Sequence, residues 1–205
     1  MNIKKLIVGT LRTNCYVVSD TRSKEALIVD PGDDAEYIKR YISDKKLKPA
    51  FVVATHGHFD HVLSALDIKL AYNIPFLMHK KDEFLLKNMM SSAKYFTGIK
   101  SDPPAEVNIY LKDNDVVKIR NIKFKVIHTP GHTPGSISLY NKNHKVCFSG
   151  DLVFERGFGR CDFSYSDSTI LRKSVEKIQS LPINTILYSG HGNKTNVDDI
   201  GNINL

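Results

Sequence analysis

Short apolar runs separated by turn residues fill the first third of the chain. The segments IKKLIVG, NCYVVSD and EALIVDPG are typical of three successive strands, the last of which ends at a Pro-Gly turn. Apolar residues then recur at helical spacing over residues 35–42, after Asp33 and Asp34, which are suitable N-cap residues. The next segment, FVVAT, is a short apolar run typical of a buried strand. This pattern predicts a hairpin-rich start followed by a helix and a strand.

The remainder of the chain continues to mix helices and strands. The pattern predicts helices near residues 62–70, 81–96 and 168–180, and strands at IPFLMH, DVVKI, IKFKVIH, SISLYN, KVCFSGD and TILYSG. The segment TGIKSDPPAEVNIY is predicted to be irregular, because two adjacent prolines break both helix and sheet. No linker, low-complexity tract or internal repeat divides the sequence. We interpret it as a single layered α/β domain over residues 1–205.

Composition and charge narrow the class of protein. With 41% hydrophobic and 25% charged residues, the chain is ordinary for a globular domain, and no run approaches the length of a membrane span. The start lacks the pattern of a signal peptide, so we expect a cytoplasmic protein without membrane association. The net charge of +7 is scattered and no recognition motif focuses it, so no nucleic-acid partner is expected. The three cysteines are an odd number, widely spaced and without a CxxC pair, which argues against a disulfide framework, and we expect buried reduced thiols.

One loop concentrates the residues that carry chemistry. The stretch THGHFDH follows the predicted FVVAT strand and contains His56, His58, Asp60 and His61. Imidazole and carboxylate are the common non-thiolate ligands of zinc and related divalent ions, and a loop can direct alternate residues such as His56 and His58 toward one point. The adjacent Asp60 and His61 do not easily reach the same ion from an extended backbone. The motif therefore predicts two metal ions side by side.

Further candidate ligands follow three other predicted strands. His132 lies in HTPGHTPGS after IKFKVI, Asp151 ends FSGD after KVC, and His191 lies in YSGHGNKT after TIL. Each stands close to glycine or proline, as expected when rigid strands aim functional groups and tight turns expose them. A lone histidine beside glycine is usually an ordinary loop residue. Four such positions along one chain favour a metal centre.

These motifs resemble those of the metallo-β-lactamase superfamily, and within it the small glyoxalase II-like (hydroxyacylglutathione hydrolase-like) hydrolases. The resemblance runs from the NCYVV strand to the final histidine and includes the signature H-x-H-x-D-H. It implies an αββα sandwich, in which two central mixed β-sheets are flanked by helices. It also implies a ligand set in which one metal is held by His56, His58 and His132, the other by Asp60, His61 and His191, and Asp151 bridges the two.

The implied reaction is hydrolysis of a small-molecule thioester, such as S-lactoylglutathione, by hydroxide activated between two divalent ions. Zinc is the first expectation, with iron and manganese as alternatives, since imidazole and carboxylate accept all three. Asp60 is the candidate catalytic residue because it can orient the nucleophile or receive its proton. We expect no counterpart of the C-terminal helical extension through which full-length glyoxalase II enzymes contact glutathione. A thiol carrier other than glutathione is therefore an alternative.

Other activities are compatible with the same residues. The segment FERGFGRCDF also resembles part of the persulfide dioxygenases, which use a single iron bound by residues matching His56, His132 and Asp151. A lactonase or other ester hydrolase is a third possibility. We favour the hydrolase because SGHGNKT resembles the ending of small hydrolases, where His191 completes a second metal site. A β-lactamase is less favoured, because the G-x-G-R segment points to the thioesterase-like branch.

We also make predictions for polar residues outside the candidate ligand set. We interpret Arg160 and Asp162 as a buried pair that holds a turn, with contact to substrate as the alternative. His128 either supports the metal ligands or is a satisfied strand-end histidine. The excursion over residues 80–110 is expected to roof the site. Four of its residues are candidates for contact with an anionic substrate but are expected to face solvent: Lys87, Lys94, Tyr95 and Lys100.

Overall fold

The computed structural model describes residues 1–98 and 100–200, and over these residues it contains two six-stranded mixed sheets. The first sheet has the order β1 (Asn2–Val8), β2 (Thr13–Ser19), β3 (Glu25–Val29), β4 (Lys48–Val53), β5 (Phe76–His79) and β6 (Ile109–Leu111). The second has the order β14 (Thr195–Asn196), β13 (Ile186–Ser189), β10 (Val146–Gly150), β9 (Ile137–Asn141), β8 (Ile122–His128) and β7 (Val116–Ile119). A short hairpin joins β11 (Val153–Phe154) to β12 (Gly157–Phe158).

Helices cover the outer face of each sheet. The chain forms α1 (Ala35–Asp44), α2 (Phe59–Val62), α3 (Ala65–Tyr72), α4 (Glu83–Lys87), α5 (Met89–Thr97), α6 (Ser168–Gln179) and α7 (Val197–Ile200). One apolar cluster joins α1, α3 and α5 to the first sheet, and another joins α6 and α7 to the second. A third cluster lies between the sheets, where Val18 and Leu27 of the first share a core with Phe124 and Phe148 of the second. This αββα layering confirms the predicted fold class.

The two sheets are also joined at the edge where the candidate ligands lie. The hydroxyl of Tyr16 on β2 donates to the carbonyl of Ser189 on β13 over 2.6 Å, and Thr13 pairs with His191 in an isolated bridge. Strands β10 and β13 run parallel, so Asp151 and His191 follow them at the same end of the second sheet. Parallel strands of an α/β fold present functional residues at one edge in this way.

Several local predictions needed correction. Asp34 takes the N-cap position of α1, but its carboxylate accepts from the Gly9 N–H over 2.8 Å and does not cap the helix. The helix predicted near residues 81–96 is interrupted: a 3₁₀ turn at Lys80–Asp82 precedes α4 and α5. The irregular segment ends in β6, which pairs in parallel with β5, and Ile99 within it lies outside the described residues.

The three cysteines differ in their exposure to solvent. Cys15 and Cys147 are buried free thiols as expected, whereas Cys161 is exposed, contrary to the general expectation of buried thiols. Across the described parts of the chain, no helix is long and apolar enough to cross a membrane.

Candidate metal centre

Three histidines from two loops converge at the first group of candidate ligand atoms. Nδ1 of His58 lies 3.1 Å from Nε2 of His56 and 3.0 Å from Nε2 of His132. Zinc–imidazole bonds of about 2.0–2.1 Å place tetrahedrally arranged nitrogens about 3.3 Å apart. The spacing of the three nitrogens is therefore close to that of a ligand set around one ion.

A second group brings together Asp60, His61 and His191, whose candidate ligand atoms lie within 4.8 Å of one another. Nε2 of His191 lies 3.2 Å from Oδ2 of Asp60 and 3.3 Å from Nε2 of His61. Asp60 and His61 reach this point because α2 begins at Phe59, so the backbone there is helical and no longer extended. The short helix turns these two side chains away from the ion position that His56 and His58 share.

Asp151 lies between the two groups. Its Oδ2 is 3.7 Å from Nε2 of His132 and 3.6 Å from Nε2 of His191, and its Oδ1 is 3.4 Å from Nε2 of His61. Among the described residues, Oδ1 has no hydrogen-bond partner although it is buried. A buried carboxylate oxygen without a partner is costly, so the donor set fits divalent cations on both sides of Asp151.

The outward-facing nitrogen of each histidine has its own partner, which orients the ring. These contacts are His56 Nδ1 with Thr55 Oγ1 (3.1 Å), His58 Nε2 with Tyr165 Oη (2.9 Å), His61 Nδ1 with Asp30 Oδ2 (3.0 Å), His132 Nδ1 with the Arg160 carbonyl (2.8 Å) and His191 Nδ1 with the Leu11 carbonyl (3.1 Å). A carbonyl can only accept, so Nδ1 of His132 and of His191 carries the proton. Their Nε2 lone pairs are then free to face the centre of the site.

This chain is similar to known proteins over most of its length. Residues 8–191 match the family model described as the metallo-β-lactamase superfamily. The chain belongs to this superfamily. It is 32% identical over 200 residues to the hydroxyacylglutathione hydrolase GloC of Haemophilus influenzae, a match that covers 96% of this chain and 93% of that protein. The predicted resemblance to this family is therefore confirmed.

Two solved structures of the same fold match nearly the whole chain. The BLEG-1 B3 metallo-β-lactamase is 35% identical with a TM-score of 0.89, and the match covers 97% of this chain and 96% of that one. The protein TTHA1623, crystallised in a di-iron-bound form, is 29% identical with a TM-score of 0.89, and 98% of each chain is covered. This metallo-β-lactamase-fold protein thus shares its architecture with both proteins, of which TTHA1623 was crystallised in a di-iron-bound form.

The two ligand groups of this metallo-β-lactamase-fold protein have different electrostatic surroundings, which shift the histidine pKa values in opposite directions. Burial lowers the pKa of His56 well below its usual value and that of His58 to about 3, and neighbouring imidazoles act in the same direction. Burial also lowers the pKa of His61, but the carboxylates of Asp151, Asp60 and Asp30 outweigh it and raise that pKa to about 10. His56 and His58 are therefore neutral at pH 7, the form that binds metals, whereas His61 lies in a strongly anionic environment.

Asp30 is a functional residue that the sequence analysis missed. Its Oδ1 accepts from the Thr55 N–H and its Oδ2 from the Thr55 hydroxyl, each over 2.7 Å, and Oδ2 also faces His61. The buried Asp30 has a left-handed backbone, with φ of 52°. The motif IVDPG was interpreted only as a strand end. The carboxylate residue directly before the Pro-Gly turn is the sequence feature that could have indicated this supporting role.

Asp82 is a second missed carboxylate, and it joins the two ligand loops. Its oxygens accept from the Gly57 N–H (2.9 Å), the Gly135 N–H (2.6 Å) and the Thr133 hydroxyl (2.6 Å). Gly57 lies between His56 and His58, and Thr133 follows His132. One buried side chain thereby fixes the distance between the loops that supply the first group of ligands.

The pairing of Arg160 with Asp162 is as predicted, but its burial is not. The guanidinium donates twice to the carboxylate, over 2.9 and 2.8 Å, while the two side chains are 63% and 65% exposed. The description as a buried pair was therefore wrong. The guanidinium lies over the Phe163 ring, and the Arg160 carbonyl accepts from His132, so this segment supports a ligand through its backbone.

His128 is the satisfied strand-end histidine of the two possibilities considered. Its Nε2 is 3.0 Å from the Pro134 carbonyl, and its ring stacks on His79 with the centroids 4.4 Å apart. His79, the last residue of β5, is half-buried in this stack. The structure thus removes His128 from the candidate metal-supporting residues.

A cleft of about 710 Å³ opens onto the ligands. Part of the predicted excursion does line it, through Leu85, Ser92 and Phe96, so this segment covers one side of the site. The four residues considered for an anionic substrate, Lys87, Lys94, Tyr95 and Lys100, are not among the residues that line the cleft and are exposed to solvent. Their predicted orientation toward solvent is confirmed.

Proposed function

We propose that this superfamily member is a metal-dependent thioesterase that cleaves S-lactoylglutathione or a related thioester. The observation that carries the proposal is the position of Asp151, whose carboxylate faces His132 of one ligand group and His191 of the other. A shared carboxylate between two complete ligand groups suits a dinuclear hydrolytic centre. The 32% identity to a hydroxyacylglutathione hydrolase supports thioesters as the substrate class.

The metals in this proposal are two divalent ions, with zinc as the first choice and iron or manganese as alternatives. His56, His58 and His132 would hold one ion, Asp60, His61 and His191 the other, and Asp151 both. When bound, such ions lower the pKa of a coordinated water and polarise a carbonyl group. The di-iron form of TTHA1623 supports iron as an alternative in this fold.

Asp60 is the proposed catalytic residue of the chain itself. Burial raises its pKa, but the neighbouring His61 and His191 outweigh this and lower the pKa well below its usual value. The carboxylate is therefore ionised at neutral pH. The Thr13 hydroxyl donates to Oδ2 over 3.0 Å and fixes its direction, and Asp60 lines the cleft. An oriented, ionised carboxylate can hold the attacking water and accept its proton.

A thioester suits the groups that line the cleft. Outside the metal centre, the titratable residues described there are Glu155, Arg156, Arg160 and Tyr165. Burial raises the pKa of Tyr165 to about 12, and an arginine guanidinium keeps its proton, so both are poor proton donors at pH 7. A thiolate leaves without a general acid because a thiol is a much stronger acid than an alcohol or amine.

A second candidate reaction is hydrolysis of β-lactams. The observation that favours it is the 35% identity to the BLEG-1 B3 metallo-β-lactamase over nearly the full length of both chains.

The experiment that separates the candidates compares turnover of S-lactoylglutathione and nitrocefin by one metal-loaded sample. Oxygen consumption with glutathione persulfide is measured in parallel. The proposal predicts that kcat/KM is highest for the thioester and that oxygen is not consumed. A higher kcat/KM for nitrocefin, or oxygen uptake with the persulfide, would overturn it.

A further inference from the structure

Aromatic rings surround the candidate ligands on the cleft side. The Phe163 ring lies 5.3 Å from that of His58 and 6.1 Å from that of His132, and Phe154 lies 6.3 Å from His191. Phe163 also stacks on Tyr165, with centroids 5.3 Å apart and planes 12° apart. The space next to both ligand groups is therefore bordered by ring faces and edges.

A second pair of rings lines the same cleft. Phe59, which precedes Asp60 in the chain, stacks on Phe96 with the planes 7° apart and the centroids 5.9 Å apart. Phe59 is buried, but Phe96 is 56% exposed, although it lines the cleft together with Leu11 and Leu85. An exposed ring at the mouth of an active-site cleft is available to pack against a bound substrate.

The charged residues of the cleft are arranged differently from the rings. Glu155 accepts from the Asn193 amide over 3.1 Å, and Arg160 is paired with Asp162. Arg156 has no hydrogen-bond or ion-pair partner among the described residues, and all three cleft side chains are exposed. The charged side chains thus face solvent, whereas Phe154 and Phe163 lie beside the candidate ligands.

We propose that the acyl group of the preferred substrate is apolar and as large as an aryl or branched alkyl group, and that Phe96 helps to select it. This inference rests on the proposed thioesterase function. The acyl group is short and stays beside the scissile carbonyl, where Phe163 and Phe154 provide apolar surface next to the candidate ligands. The Phe59–Phe96 pair adds apolar surface in the same cleft. The longer thiol carrier extends toward the exposed charges. A lactoyl group offers only one methyl to these rings.

The test uses two thioesters that differ only in the acyl substituent. S-mandeloylglutathione and S-lactoylglutathione share the thiol and the α-hydroxy carbonyl, and a phenyl group replaces the methyl group. We expect kcat/KM to be at least about ten-fold higher for the mandeloyl thioester, as for burial of additional apolar groups in a fitted pocket. Equal values, or a preference for the lactoyl thioester, would overturn the inference while leaving the thioesterase function intact.

Variants of two exposed aromatic residues show whether Phe96 contributes. Phe96→Ala is expected to lower the mandeloyl-to-lactoyl ratio of kcat/KM several-fold. Tyr37→Ala is the matched control, because Tyr37 is 45% exposed on α1 and does not line the cleft, whereas Tyr95 packs edge-on against Phe96 itself. Tyr37→Ala is expected to leave the ratio unchanged. An unchanged ratio in Phe96→Ala, or an equal change in both variants, would rule out selection by Phe96.

A binding measurement separates failure of the inference from failure of the proposed function. Mandelate and lactate are the corresponding product acids, and their affinities for the metal-loaded protein can be measured by calorimetry. If neither thioester is cleaved but mandelate binds at least about ten-fold more tightly than lactate, the apolar acyl pocket stands and the proposed reaction fails. If mandelate has no advantage, the inference fails whatever the turnover.

Discussion

Nδ1 of His61 lies 3.0 Å from Oδ2 of Asp30, and both side chains are buried. Asp30 also accepts two hydrogen bonds from Thr55, so its carboxylate is fixed before it meets the imidazole. A carboxylate behind a ligating histidine sets the orientation of the ring and raises its basicity. Asp30 is therefore expected to govern how well His61 serves the second ligand group.

Replacing Asp30 tests this relationship. We expect Asp30→Asn to weaken metal binding about 10- to 100-fold, because an amide lacks the charge that supports His61. Metal affinity is measured by competition with a chromophoric chelator. Asp44→Asn is the matched control, since Asp44 is exposed at the end of α1, and it is expected to bind metal like the parent protein. Equal affinities for the two variants would contradict the assigned role.

Asp60 gives the prediction for catalysis. Asp60→Asn is expected to lower kcat for S-lactoylglutathione by about 100-fold or more, the usual contribution of a positioned proton acceptor. Far-ultraviolet circular dichroism is expected to show an unchanged fold, because the amide still accepts from the Thr13 hydroxyl. Metal content is measured on the same samples, which separates loss of an ion from loss of the proton acceptor. Turnover at the parental rate would exclude Asp60 from the mechanism.

Asp82 gives a prediction for stability. Asp82→Ala is expected to lower the free energy of unfolding by about 3 kcal/mol or more, because it leaves three buried donors without their acceptor. Urea denaturation measures this change. Asp102→Ala removes an exposed carboxylate and is expected to stay within about 0.5 kcal/mol of the parent protein. A similarly small change in Asp82→Ala would show that the loops are held by other contacts.

The stacked histidines His79 and His128 predict a pH dependence of stability. Burial, with help from His128, lowers the pKa of His79 to about 4 in the folded protein, below the value near 6.5 expected for an unfolded chain. The unfolded state therefore binds more protons between these values, so stability is lost as the pH falls from about 6.5 to about 4.

Thermal unfolding at pH 7 and pH 5 tests whether stability decreases as the pH falls. His79→Gln is expected to show a smaller drop in Tm between the two pH values than the parent protein. His144→Gln is the control, because His144 is exposed and its ring contacts Asn141. It is expected to show the parental drop. If His79→Gln loses as much Tm as the parent protein, protonation of His79 does not contribute to the acid sensitivity.

The sequence predicted that the candidate ligands follow strand ends, because that placement is determined locally. His56, His132, Asp151 and His191 each follow a strand within a few residues, and strand ends can be located from apolar runs and turn residues. The αββα class followed from the same pattern together with the family resemblance. The pattern of apolar and turn residues does not show which distant segments of the chain contact each other.

The supporting residues show this limit. Asp30 is 31 residues from His61, Asp82 is 51 residues from Thr133, and Tyr165 is 107 residues from His58. Nothing in the local sequence of either partner specifies such contacts, since they arise only when the two sheets and their loops pack. The same reason explains β6, a three-residue strand whose pairing with β5 is not encoded in its own apolar pattern.

The most direct test of the account is the number of metal ions per chain in an active sample. Elemental analysis of the purified protein is combined with turnover of S-lactoylglutathione by the same preparation, before and after removal of metal with a chelator. We predict about two divalent ions per chain and thioester hydrolysis that is lost and regained with them. A single iron per chain, with oxygen consumption in the presence of glutathione persulfide and no thioester hydrolysis, would contradict it.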